Sequence, residues 1–300
     1  MWLALIAALL TDSAHVLKVP VAPGETLTVT TAGHGAPVVL VPGLFGSAYG
    51  WRRVLALLTE AGYQAAVIEP LGVGTSSRPR RADYSLTAQS DRLAHAIEYL
   101  DLGPAVLVAQ GVGGAIALRA AARYPALVRG LVSLEGGPAE RAATPGFRRA
   151  MVYVPWVKWA GGVRVFRKIV RENLVKSSGD QTWITDDVID AYTAGAAADL
   201  DGTLLAYLTM ADAREPEPIS QQLGAIRCPV LLVLGGAPHA SRPPDEEVER
   251  LRERVRSYAE ETVPGAGHYL QEERPDVVAA AVLRVDRTAL AQTGGGGPSQ

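Results

Sequence analysis

The stretch from Ala105 to Ala122 constrains the fold of this chain more than any other. Ala105-Val106-Leu107-Val108-Ala109 is an unbroken apolar run, Gln110-Gly111-Val112-Gly113-Gly114 holds three glycines in five residues, and Ala115 to Ala122 is rich in helix formers. An apolar run of this length without alternation suits a strand buried on both faces. Small residues are required where such a strand turns sharply into a helix packed against it. Strand, tight turn and helix in so short a span form the repeating unit of a parallel sheet covered by helices.

The same rhythm runs through most of the sequence. Val16 to Val21 and Leu27 to Thr31 read as a hairpin, and Val38 to Val41, Ala65 to Glu69, Gly130 to Glu135 and Val230 to Leu234 as further buried strands. Trp51 to Ala61, Ala88 to Leu100, Val112 to Arg123, Asp245 to Tyr258 and Asp276 to Leu290 carry helical spacing of apolar residues. The expected fold is α/β, a mostly parallel central sheet flanked by helices. From Gly137 to Leu223 the pattern is helical with no strand candidate, and Pro229 then opens a strand, which is the signature of an inserted helical cap. The predicted organisation is a first core part at 1–136, a helical cap at 137–223, a second core part at 224–290 and a flexible tail at 291–300. Met151, Trp156, Trp159, Trp183, Tyr192, Tyr207 and Met210 fall in the cap, either as its own core or as the lining of an apolar pocket.

Charge and cysteine content exclude several function classes. With 29 Lys plus Arg against 31 Asp plus Glu, the net charge is −2, so no global field draws the chain to nucleic acid. The basic stretch Arg148 to Lys176 interleaves its charges with aromatic residues, as a solvated amphipathic helix does. Cys228 is the single cysteine, which excludes an internal disulfide and cysteine-pair zinc or redox sites. Trp2 to Leu10 is an apolar run followed by Thr11-Asp12-Ser13-Ala14, like a signal-peptide core without its basic lead. It is shorter than the roughly 20 residues of a membrane span, so no stable span is expected and both cytoplasmic and exported locations stay open.

Four ordered motifs carry a resemblance to a known family. Val108-Ala109-Gln110-Gly111-Val112-Gly113-Gly114-Ala115 resembles the nucleophile elbow of the α/β-hydrolase superfamily, G-x-S-x-G followed by Gly, with Gly111 at the serine position and Ala109 at the first small residue. Val38-Val39-Leu40-Val41-Pro42-Gly43-Leu44-Phe45-Gly46-Ser47 is similar to the family's oxyanion-hole loop, with Pro42 in place of the usual His. Glu69-Pro70-Leu71-Gly72-Val73-Gly74-Thr75-Ser76 is similar to the loop after the next strand, and Val263-Pro264-Gly265-Ala266-Gly267-His268-Tyr269 to the catalytic-histidine loop. The resemblance implies a capped member in which Gly replaces the nucleophile, with backbone donors from Leu44 and Val112 and His268 in the active site. His239, in Gly236-Ala237-Pro238-His239, occupies the turn where the family commonly has its Asp. The acid is instead expected at Glu135, which closes the strand after the elbow helix, as in haloalkane dehalogenases. There it would orient His268 from about 2.6–3.2 Å, with some looseness in the absence of ligand.

The alternative dinucleotide unit, Gly111-x-Gly113 followed by Glu135, fails at Ile116, where a third small residue is needed. Without a hydroxyl or thiol at position 111 no acyl-enzyme forms there. Two readings follow for a small apolar carbonyl or ester compound as substrate or ligand. One is an enzyme in which His268, oriented by Glu135, acts as general base in hydrolysis or lyase chemistry. The other is a non-catalytic pseudo-enzyme that binds a small ligand or a protein partner. No cofactor and no metal site is expected, and oligomeric state is not encoded.

Overall fold

The computed structural model describes residues 14–142 and 161–294. Its centre is an eight-stranded sheet in the order β1-β2-β4-β3-β5-β6-β7-β8. The strands are β1 (His15–Ala22), β2 (Glu25–Ala32), β3 (Ala36–Val41), β4 (Tyr63–Glu69), β5 (Ala105–Gln110), β6 (Val128–Leu134), β7 (Val230–Gly235) and β8 (Tyr258–Val263). β1, β2 and β4 pair antiparallel, while β4, β3, β5, β6, β7 and β8 run parallel. This is the mostly parallel α/β sheet that the apolar runs predict.

Alternate residues of the central strands feed two apolar layers. Val39, Val41, Leu107 and Ala109 face one layer, and Val38, Leu40, Val106 and Val108 face the other. The first layer is completed by Ile97 of helix α2 (Leu86–Tyr99) and Leu118 of α3 (Val112–Arg123). The second is completed by Val54 and Leu58 of α1 (Arg52–Glu60) and by Val278 and Val282 of the last helix, Pro275–Gly294. Burial on both faces explains why these strands lack the polar alternation of a half-exposed sheet.

Between β6 and β7 the chain inserts α4 (Val163–Ser177), α5 (Asp186–Ala198) and α6 (Leu200–Asp212). Four of the aromatic and methionine candidates named above, Trp183, Tyr192, Tyr207 and Met210, are buried in the first apolar layer. Met151, Trp156 and Trp159 lie outside the described residues, as do Trp2 to Leu10 and residues 295–300.

The insertion is anchored at a buried cation. Arg119 of α3, 1% exposed, donates to the carbonyl of Ala139 (2.9 Å) and pairs with Glu215 (3.3 Å) and Glu140 (3.5 Å). Glu215 in turn accepts from the N–H groups of Leu86 (2.7 Å) and Thr87 (2.9 Å), which open α2. A carboxylate at a helix start meets donors that the helix itself leaves unpaired. The segments that enter and leave the insertion therefore converge on one side chain.

The carboxyl end of the sheet departs from the sequence reading at one place. The helix expected over Asp245 to Tyr258 stops at Arg254, as α7 (Asp245–Arg254), and Tyr258 opens β8. Tyr-Ala-Glu-Glu-Thr-Val at the sheet edge presents its charged side chains to solvent, so it shows no apolar run to mark it. A short helix, α8 (Leu270–Glu273), and α9 (Pro275–Gly294) finish the described chain. Among the described residues no helix is long and apolar enough to cross a membrane.

Candidate active site

The turn between β5 and α3 is sharp because its backbone takes a conformation that side chains resist. Gly111 has φ 54° and ψ −121°, and α3 begins at the next residue. Its N–H donates to the carbonyl of Leu134 (2.8 Å), fixing it to the end of the neighbouring strand β6. A Cβ on Gly113 would lie 2.6 Å from the carbonyl oxygen of Val41, so the turn can approach β3 only with glycine there. Gly111 thus stands at the apex of the strand-to-helix turn that the motif predicts.

His268 is brought to this apex by the loop after β8. Its N–H donates to the carbonyl of Ser177 at the end of α4 (2.7 Å). The Glu273 carboxylate accepts from the N–H groups of Gly267 (2.9 Å), Gly179 (2.9 Å) and Asp180 (2.8 Å), tying this loop to the insertion. The imidazole packs edge-on to Tyr269, ring centroids 5.1 Å apart. Its Nε2 lies 3.3 Å from where a Cβ of Gly111 would sit.

Glu135 follows β6 directly and is one of few non-glycine residues with positive φ, 54°. Its side chain is fully buried, and one carboxylate oxygen accepts from the N–H of Gly235 at the end of β7. The other, Oε2, is 3.8 Å from Nδ1 of His268 and 3.5 Å from Nε2 of His239. Glu135 thus stands beneath His268, but the distance exceeds the expected hydrogen bond, because one oxygen is held by Gly235 and the other is shared between two imidazoles. Burial works to raise the carboxyl pKa, yet His239, His268 and the Gly235 N–H outweigh it and hold the group below its ordinary value.

His239, which the sequence reading treats only as a lost acid, belongs to the same cluster. Its side chain is 2% exposed, and its ring centroid is 5.8 Å from that of His268. Nδ1 and Nε2 of His239, Nδ1 of His268 and Oε2 of Glu135 are all buried without a hydrogen-bond partner among the described residues. Its place in the cluster follows from the sheet: β6 and β7 are neighbouring parallel strands, so the residues that follow them meet at one edge.

Leu44 and Val112 sit where the resemblance puts them, on the loop after β3 and at the first position of α3. The Val112 N–H is one of the donors a helix leaves unpaired at its start. Both residues line a narrow apolar cleft of about 10 Å³, room for little more than one water, with Pro42, Gly43, Ile116 and Met210. Of the predicted pocket residues within the described chain, Met210 reaches this cleft. Leu44, Val112, the His268 imidazole and the apolar cleft therefore share the carboxyl edge of the sheet.

Residues 36–275 match the family model described as alpha/beta hydrolase fold. "Putative carbamate hydrolase RutD" of Pantoea ananatis is 36% identical over 99 residues, covering 33% of this chain and 36% of that protein. That match, like the one to an uncharacterized protein of Mycobacterium bovis, spans about a third of the relative's own length. "Uncharacterized hydrolase YugF" of Bacillus subtilis is 25% identical over 241 residues, 80% of this chain and 86% of that protein. Among solved structures, a thermophilic esterase from Thermogutta terrifontis superposes with a TM-score of 0.72 at 24% identity, covering 92% of this chain and 99% of the esterase.

Proposed function

Because the chain belongs to the α/β-hydrolase fold family, we propose that it acts on a small apolar carbonyl or ester compound through His268 rather than through a covalent nucleophile. In this reading the helical insertion is a cap, and Gly111 stands where the family carries its serine. The observation that carries it is the direction of His268, whose Nε2 faces the Gly111 apex. Nearby, Leu44 and Val112 border the apolar cleft.

The chemistry follows from that placement. His268 takes a proton from a water molecule or from the substrate, and the carbonyl oxygen that gains charge is met by the N–H groups of Leu44 and Val112. Glu135, anionic and buried beneath the ring, favours the imidazolium that forms. The space that a serine side chain would fill above Gly111 is left for the water or for the substrate itself. Direct hydrolysis and proton-abstraction lyase chemistry both fit this arrangement. The carbamate-hydrolase name of RutD and the esterase title of the Thermogutta structure support a carbonyl-centred substrate class.

The test is turnover of a panel of short and long acyl esters by the wild-type chain and by His268→Ala. Slow turnover that disappears in the variant supports the reading, and equal rates in both overturn it. A second reading, a non-catalytic binding protein, draws support from the 3.8 Å separation of Glu135 and His268, which leaves Nδ1 without an acceptor. It predicts saturable ligand binding with no turnover in either protein.

A further inference from the structure

We propose that Glu135, His239 and His268 form a binding site for one divalent transition-metal ion, of which Zn²⁺ is the natural probe. This departs from the sequence expectation of no metal. It shares His268 and Glu135 with the catalytic reading, and an ion held here would occupy both, so the metal-free chain is the one that can use His268 as a base.

The donor set is the first support. Two imidazoles and one carboxylate, each able to offer one ligand atom, lie with those atoms all within 4.8 Å of one another. Two histidines and a glutamate are a set that binds Zn²⁺ with a fourth position open. The single cysteine, buried at position 228, belongs to no such cluster.

The distances are the second support. Oε2 of Glu135 is 3.5 Å from Nε2 of His239 and 3.8 Å from Nδ1 of His268. Hydrogen bonds between such groups would be about 2.7–3.2 Å. Ligand atoms about 2.1 Å from a tetrahedral ion are about 3.4 Å from each other. The two edges from Glu135 are therefore spaced as in a coordination shell, to within a few tenths of an ångström, and the third, between the imidazole nitrogens, is no longer than 4.8 Å.

The unpaired atoms are the third. His239 is a buried side chain with neither nitrogen in a hydrogen bond, and the facing atoms of Glu135 and His268 are in the same condition. Buried polar groups in folded proteins are nearly always partnered, and leaving one unpaired is costly. A cation at the centre of the three gives Oε2, Nε2 of His239 and Nδ1 of His268 a common partner. The second carboxylate oxygen is already oriented by the Gly235 N–H, as an outer-shell donor orients a metal-ligating carboxylate.

The geometry also says what the ion would do to the histidine. Coordination through Nδ1 takes the lone pair facing Glu135 and leaves the proton on Nε2. The loaded protein then presents a hydrogen-bond donor toward Gly111.

The experiment is calorimetric titration of the chelator-treated wild-type chain with Zn²⁺, repeated with His239→Gln and Glu135→Gln. The proposal expects one ion per chain in the wild type, and at least about a 100-fold loss of affinity in each variant. Unchanged affinity in both variants would put the ion elsewhere and overturn it, as would the absence of binding to the wild type. Should either variant fail to fold, the absorption spectrum of Co²⁺ bound to the wild-type protein decides: the intense visible bands of a tetrahedral ion support the site, and weak octahedral bands refute it. Loss of ester turnover alone, with Zn²⁺ binding intact, would count against the catalytic reading and leave the metal site standing.

Discussion

The Nε2 of His268 lies 3.3 Å from the point at which a side chain on Gly111 would begin. A serine introduced there would place its hydroxyl within reach of the imidazole, the pairing that activates a nucleophile. Gly111→Ser is expected to gain turnover of short acyl esters above the wild-type rate, measured with a chromogenic ester. The left-handed φ of the turn would cost roughly 1–3 kcal/mol of stability, read as a lower melting temperature. No gain in a folded variant would mean that the elbow geometry does not support acyl transfer.

The wild-type chain should resist covalent labelling by a fluorophosphonate. Gly111 offers no hydroxyl, and the buried Ser47 hydroxyl on the oxyanion-type loop has no hydrogen-bond partner among the described residues and so no base. Intact mass before and after treatment checks this, and stoichiometric adduct on Ser47 would relocate the nucleophile.

Arg119→Met should destabilise the protein by roughly 3–5 kcal/mol. Removing one member of a buried ion pair leaves the other undercompensated, here chiefly Glu215, which would keep only its donors at the start of α2, while the half-exposed Glu140 contributes less. Chemical denaturation would measure the loss. A change under about 1 kcal/mol would show that solvent reaches these carboxylates readily.

Glu247→Gln should stabilise the chain at neutral pH and leave it unchanged in acid. Burial raises the Glu247 carboxyl pKa, with Arg250 opposing. A carboxyl raised on folding binds its proton more tightly in the native state, so stability falls as pH climbs from the ordinary carboxylate value through the raised one. Below that window both states are protonated and the substitution gains nothing. Melting temperatures of both proteins at pH 7 and near pH 4 would test the sign.

Much of the sheet was legible in the sequence because its strands are buried on both faces. Val38 to Val41 and Ala105 to Ala109 have no solvent side to write polar residues into the pattern. β8 was hidden for the opposite reason, since an edge strand carrying Glu260 and Glu261 looks like the continuation of a charged helix. At the site, motif order brought out Gly111, Leu44, Val112 and His268. The meeting of Glu135 with His239 was not legible, because 100 residues of sequence separate their loops and only the pairing of β6 with β7 closes that gap.

Arg119 and Glu215 also bear on how the helical insertion could be exchanged. A graft that replaced the block between β6 and β7 with a segment from another protein would delete the carboxylate that completes the start of α2, 128 and 129 residues earlier in sequence. It would also strand a guanidinium inside the core. Chimeras built at the strand ends should therefore express poorly unless the donor segment brings an acid to the Glu215 position, or the host loses Arg119 at the same time. The insertion and the core are in this sense a single unit of recombination, joined at a residue far from the chemistry.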